Sequence, residues 1–181
     1  MKIQGIQQSN DLAGWIPERM YRGRCIGSKA TEKNSSGYPM FTLDCEIIEP
    51  ESFEINGQNK IFAGRKFNLF LIFNPNKDGW ASQAQAVQCM TNLGLDVVGD
   101  DGAINIDTEL HETYFKGLEF DIPLSAQEDF KKFMTGPDKG KPILDGESKK
   151  ISAGWRISAN PSDIGENCRP VRNEEVAARP F

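Results

Sequence analysis

The stretch Tyr38-Pro39-Met40-Phe41-Thr42-Leu43-Asp44-Cys45-Glu46-Ile47-Ile48 decides the fold class. Successive side chains of a strand point to opposite faces, so Phe41, Leu43, Cys45 and Ile47 share one face while Tyr38, Met40, Thr42, Asp44 and Glu46 share the other. The first set reads as core. Upstream, Met20 to Ala30 is also β-like, and the turn-rich Asn34-Ser35-Ser36-Gly37 joins the two runs into a long hairpin. Downstream, Pro50 closes the second strand. Phe53 to Phe62 then contains Asn56-Gly57, a dipeptide suited to the left-handed angles of a tight turn, which predicts a small excursion hairpin.

Gly64-Arg65 opens the strongest strand, in which Phe67, Leu69, Leu71 and Phe73 share a face. Phe70 and Ile72 fall on the opposite face, so that face is either covered or binds something. Asn74 to Asp78 reads as a turn offering Asn76 or Asp78 as a helix cap. Trp80, Ala84, Val87 and Met90 recur at three- and four-residue intervals, which predicts an amphipathic helix with Trp80 as a core anchor and Gly94 as terminator. A Gly99-Asp100-Asp101-Gly102 turn, Ile104-Asn105-Ile106 and a short irregular or helical piece over 109–115 follow. Leu118, Phe120, Ile122 and Leu124 alternate as another strand. Residues 126–150 form a Lys- and Gly-rich excursion, and Ile151 to Ala159 is a last strand with Trp155 and Ile157 on one face and Arg156 on the other. Residues 1–18 read as an N-terminal arm, 19–160 as the folded domain and 161–181 as an extended polar C-terminal tail. The order is a hairpin, a third strong strand, one helix and two more strands. That is the order of the OB-fold, so the expected class is mainly β: a five-stranded Greek-key barrel with one helix between strands three and four.

Composition fits one soluble globular domain: 181 residues, 38% apolar and 26% charged, with 11 Phe. Disordered, collagen-like and disulfide-scaffold classes are excluded. The longest apolar run, Phe67 to Phe73, is too short to span a membrane and residues 1–10 lack an apolar signal core, so a cytoplasmic protein with no membrane partner is expected. The four cysteines, Cys25, Cys45, Cys89 and Cys168, have no short spacing; zinc-ribbon and CxxC chemistry are excluded, and the cysteines read as reduced, mostly core thiols. A net charge of −5 argues against coating duplex DNA by bulk charge. Local charge differs: between residues 19 and 33, Arg19, Arg22, Arg24, Lys29 and Lys33 face the single acid Glu32. The acids concentrate in 44–54, 96–112 and 119–129, so the field is asymmetric.

Tyr21-Arg22-Gly23, the run Ser36 to Leu43, Gly64-Arg65-Lys66-Phe67, Asn92-Leu93-Gly94-Leu95 and the run Phe115 to Phe120 together resemble small bacteriophage single-stranded DNA-binding and recombination-associated proteins with an OB-fold, over residues 19–160. The resemblance implies a non-catalytic protein without a cofactor that sequesters unpaired DNA during phage DNA replication or recombination, in the host cytoplasm if phage-encoded. Single-strand binding needs cations that track phosphates and aromatic faces on which bases stack, and the residues supply both. Arg22 and Arg24 share a face of the first strand, Lys29 and Lys33 lead into its loop, and Tyr38 leaves it. Lys60, Arg65 and Lys66 precede the third strand, Phe70 lies on its non-core face, and Arg156 lies on the last strand. Phe70 has a second reading, a small second core under the helix or the 50–63 excursion. The six lysines of 126–150 are nearly offset by five acids, a weak attractor. The chain ends in Pro180-Phe181, which is similar to the terminal Pro-Phe that cellular single-stranded DNA-binding proteins dock into partners. These two residues are expected to recruit a replication or recombination protein.

Other classes leave weaker marks. Asp44 with Glu46 and Glu119 with Asp121 are carboxylate pairs of the kind that hold magnesium in nucleases, but no lysine at short spacing completes such a set, so no enzyme is expected. His111, beside Glu109 and Glu112, has no second histidine and reads as a surface residue. Asp96, Asp100, Asp101 and Asp107 miss the calcium-loop spacing, and neither a phosphate-binding nor a dinucleotide-binding glycine signature is present. The alternative from a different class is a virion structural protein, a decoration or tail component with a β-sandwich, since long hairpins with an arm and a tail also suit interlocking subunits. A homo-oligomer is compatible with either reading.

Overall fold

The computed structural model describes residues 14–105 and 113–164. Its elements in chain order are β1 (Arg19–Thr31), β2 (Met40–Glu49), β3 (Ser52–Ile55), β4 (Gln58–Ile61), β5 (Lys66–Ile72), α1 (Gln83–Asn92), β6 (Glu119–Phe130) and β7 (Ser152–Ala159), with a 3-10 turn at Pro161–Asp163. Five strands form an antiparallel sheet in the order β5-β2-β1-β6-β7, and β3-β4 is a separate two-stranded hairpin. The mainly β class, the excursion hairpin and a helix between β5 and β6 are as expected. The closed barrel is not: β5 and β7 are the outer strands of an open sheet. Closure requires a ladder between the first and last strands, which the order of elements along the chain does not itself supply.

The chain divides into two compact units, one of Met1–Glu18 with Ser125–Ser158 and one of Arg19–Leu124 with Ala159–Phe181. In the larger unit the alternation of each strand places its core. Phe41, Leu43, Cys45 and Ile47 of β2, Phe67, Leu69 and Leu71 of β5, and Phe120, Ile122 and Leu124 of β6 are all buried, as is Phe73 just past β5. Gly23 of β1 lies beneath an edge-to-face pair, Phe67 with Phe120 at 6.5 Å and 82°. A Cβ at Gly23 would come within 2.8 Å of Phe67 Cζ, so only a glycine lets the two rings meet over β1. The β3-β4 hairpin turns at Asn56 and Gly57, whose φ values of 53° and 74° are the left-handed angles a two-residue hairpin requires.

Helix α1 starts later than the spacing predicts. Ser82 caps it, its Oγ accepting from Gln85 N at 3.1 Å, and the buried face is Ala86, Cys89 and Met90. Trp80 lies before the cap, 55% exposed, so it is not a core anchor. Its spacing with Ala84 and Val87 is fortuitous, because positive φ at Gly79 and Ala81 keeps the chain out of a helix there. Gly94, at φ 86°, ends α1 as expected: Leu95 N donates to Met90 O and Gly94 N to Thr91 O, both at 2.9 Å, the paired bonds of a Schellman cap. Ile164, at the start of the segment read as tail, is fully buried. It is held because Asn92 Nδ2 donates to Ile164 O, while Gln85 Nε2 donates to Asn160 Oδ1 at 3.0 Å and to Ser162 Oγ at 2.6 Å.

In the smaller unit Gly14, at φ 85°, approaches Trp155 so closely that a Cβ would meet Trp155 O at 2.8 Å. The 131–151 excursion is knit by main-chain bonds, Lys131 N to Ile151 O, Ile143 N to Lys131 O and Ile151 N to Ile143 O. Lys141 pairs with Asp138 at 2.7 Å and Lys149 with Glu147 at 3.0 Å, while Lys150 lies 5.3 Å over the Phe130 ring. His111, Cys168, Pro180 and Phe181 lie outside the described residues.

Candidate nucleic-acid interface

The outer face of the larger unit's sheet is read directly from register. Arg22 faces Asp121, and Arg24 faces Glu119 on one side and Glu46 on the other. Glu46 in turn faces Lys66, Asp44 faces Asn68, Thr42 faces Phe70, and Met40 faces Ile72. Between Cys25 and Gly27 the β1-β2 register slips by one residue. This bulge reverses the alternation of β1, so that Lys29 comes to face Thr42 and Thr31 to face Met40. Lys29 therefore joins Arg22 and Arg24 on the outer face, which strict two-residue alternation forbids. The only trace of this in the sequence is Gly27, placed where a bulge is easily made.

The charges of that face are mostly paired. Arg24 Nη2 and Lys66 Nζ each reach a different oxygen of Glu46 at 2.8 Å, and Arg22 lies 3.5 Å from Glu119 and 3.9 Å from Asp121. The hydrogen bond from Lys66, then that from Arg24, holds the Glu46 carboxyl below the usual carboxylate range. Asn68, its amide turned to donate, reaches Asp44 Oδ1 at 3.1 Å. The carboxylate pairs considered for magnesium thus face basic or amide side chains. Among the described residues no group of three or more His, Cys, Asp or Glu is arranged to hold a metal ion.

At the opposite end of the same face the character changes. Phe70 is 45% exposed, with Thr42 beside it and then Lys29, and the next row is Ile72, Met40 and Thr31. Among the described residues no second core covers Phe70. Tyr38, half-buried at the entry to β2, accepts a hydrogen bond on its hydroxyl from Asn76 Nδ2 at 3.2 Å. The loop before it is shaped by Asn34, whose Oδ1 accepts from Ser36 N at 2.9 Å and Tyr38 N at 3.1 Å. Lys29 and Lys33 are exposed and make no ion pair among the described residues.

The remaining expected residues are dispersed. Lys60 is on β4, opposite Phe53. Arg65 stacks its guanidinium 5.1 Å from the Phe62 ring centroid. Arg156 belongs to the smaller unit, 3.4 Å from Asp129 and 3.1 Å from Gln127. An open cleft of ≈ 420 Å³ is lined by Arg19, Met20, Tyr21, Arg22, Glu49, Pro50 and Asp121. Arg19, not selected from the sequence, lies beside it with its guanidinium 5.0 Å from Phe53 and 5.9 Å from Tyr21. Burial pushes the Tyr21 hydroxyl up, opposed in part by Arg19 and Arg65. No helix among the described residues is long and apolar enough to cross a membrane. Comparison with protein-family models, with curated proteins and with solved structures finds no match to this chain.

Proposed function

We propose that the chain is a non-catalytic single-stranded DNA-binding protein of phage type, acting in DNA replication or recombination. The binding face is the end of the outer sheet that carries Lys29, Thr31, Met40, Thr42, Phe70 and Ile72, with Tyr38 and Lys33 at its margin. One observation carries the reading: an aromatic ring stands 45% exposed on a strand face, in one row with an unpaired lysine. A half-exposed ring offers its face to an unpaired base, a contact worth ~1–3 kcal/mol, and a lysine two strands away, beyond Thr42 in the same row, supplies the phosphate charge. The strand order β5-β2-β1-β6-β7 with a helix after β5 supports an open relative of the OB-fold, which binds strands on such a face. Arg22, Arg24 and Lys66 hold the sheet together through Glu46, Glu119 and Asp121 and contribute little to phosphate binding. Pro180 and Phe181 recruit a protein partner.

The test is fluorescence anisotropy of a labelled oligonucleotide, single-stranded and duplex, with the full chain at low and moderate salt. Single strands bind more tightly than duplex of the same length. Absence of binding to both at low salt overturns the proposal.

A further inference from the structure

Cys25 and Cys45 are direct partners in the β1-β2 register, and both are buried. The main chain shows which kind of antiparallel pair they form. Cys25 N donates to Leu118 O and Cys25 O accepts from Gly117 N, both at 2.8 Å, so both of its backbone groups are directed away from β2. Such a pair is the non-hydrogen-bonded kind, in which Cα atoms lie ~4.5 Å apart and side chains approach closest. That separation falls within the ~4.4–6.8 Å that a disulfide spans. Each thiol donates to a carbonyl of its own strand, Cys25 Sγ to Gly27 O at 3.2 Å and Cys45 Sγ to Leu43 O at 3.6 Å. Cys25 also ends the regular ladder: its Sγ lies 3.2 Å from Gly27 O, inside the bulge where the register slips. A bulge is where a ladder is locally broken.

We propose that Cys25 and Cys45 are a redox modification site, closing to a reversible cross-strand disulfide when the protein meets a hydroperoxide. Cys25 is the attacking sulfur. The neighbouring Cys45 side chain holds the Cys25 thiol below the usual range, whereas burial pushes Cys45 well above it and Cys89 up to about 12. The Cys25 thiolate attacks one oxygen of hydrogen peroxide; the O–O bond breaks, and the departing oxygen takes up the proton Cys25 gave up and leaves as water. The resulting sulfenic acid is then attacked by Cys45 Sγ; the S–S bond forms, and hydroxide leaves with the Cys45 proton as a second water. Two thiols lose two electrons in all, and the peroxide gains them. Cys89, on α1, is near enough to Cys45 to affect its ionisation but is not placed opposite it on a strand. This inference stands independently of the nucleic-acid reading.

The experiment treats the full, folded chain with hydrogen peroxide, blocks the remaining thiols with iodoacetamide, and maps tryptic peptides without reductant by mass spectrometry. The expected product joins peptide 25–29 to peptide 34–60, lighter than the two separate peptides by two hydrogens, and dithiothreitol separates them. In Cys45→Ala the same treatment leaves a sulfenic acid on Cys25 that dimedone traps. A link from Cys45 to Cys89 or from Cys25 to Cys168, over-oxidation of Cys25 without a link, or complete resistance of both thiols overturns the proposal.

Discussion

Phe70→Leu separates stacking from packing at one residue. The ring is 45% exposed, and its neighbours on the outer face are Thr42 across the strand pair and Asn68 and Ile72 along β5. A fully buried Phe removes ~200 Å² from water. At this site about half of that is covered, and leucine covers most of the same ground. If the variant loses ~20 Å² of buried apolar area, at ~25 cal/mol per Å² the free protein loses ~0.5 kcal/mol. For a chain of this size that lowers the melting temperature by ~1–2 °C. The flat π face is lost entirely, which removes ~1–3 kcal/mol of stacking on one base, or ~5- to 150-fold in Kd. Anisotropy titration of a labelled oligothymidylate at one fixed salt, beside thermal melts followed by circular dichroism, reads both quantities. A Kd within ~2-fold of the parent, with the melt unchanged, refutes stacking at Phe70. A fall of ~5 °C or more with unchanged Kd assigns the ring to packing instead.

Gly23→Ala should destabilise the protein by ~1–3 kcal/mol, because the new methyl lies 2.8 Å from Phe67 Cζ and 3.4 Å from Phe120 Cε2 and forces the ring pair apart; a urea midpoint equal to the parent's contradicts that packing. Glu46 has a folded pKa below its unfolded one, so its contribution is present above the unfolded carboxylate pKa and is lost as pH falls through the folded one. Accordingly Glu46→Gln should cost ~1 kcal/mol at pH 7 and progressively less in acid, and an equal cost in urea melts at both pH values would show that the two bonds do not stabilise the fold. The salt dependence of oligonucleotide binding should be shallow, a slope of ~1–2 at ~0.7 per contact, since Lys29 and Lys33 do the phosphate work. A slope of ~3 or more would mean that Arg22, Arg24 and Lys66 leave their carboxylates to bind phosphate.

The strands were legible because a sheet buried on one face writes its period into the sequence. Phe41, Leu43, Cys45 and Ile47 are inside, as are Phe67, Leu69, Leu71 and Phe73, and the turn chemistry of Asn56-Gly57 and Gly94 is realised as read. Helix phase was less legible. Trp80 matched a helical period, but a serine cap two residues later, fixed by Gly79 and Ala81 at positive φ, moved the buried face to Ala86, Cys89 and Met90. Barrel closure was not legible at all, because it depends on whether the two outer strands, far apart in the chain, pair.

The site was half legible for a related reason. Alternation correctly set Phe70 apart from the core, since that judgement needs only its own strand. The state of a cation on a sheet depends instead on what its neighbouring strands place beside it. Arg24 is twenty-two residues from Glu46, and Arg22 nearly a hundred from Glu119, yet register makes each pair adjacent. A single bulge then carries Lys29 onto the face from which strict alternation excludes it. The local excess of positive charge in residues 19–33 is therefore not a basic patch once folded. The two arginines are largely neutralised across the strands, and the charge left unpaired next to an exposed ring is that of Lys29. Under the proposed function, a small number of unpaired lysines near one exposed ring predicts binding that leans on base contact more than on phosphate charge, so that a net charge of −5 need not prevent it.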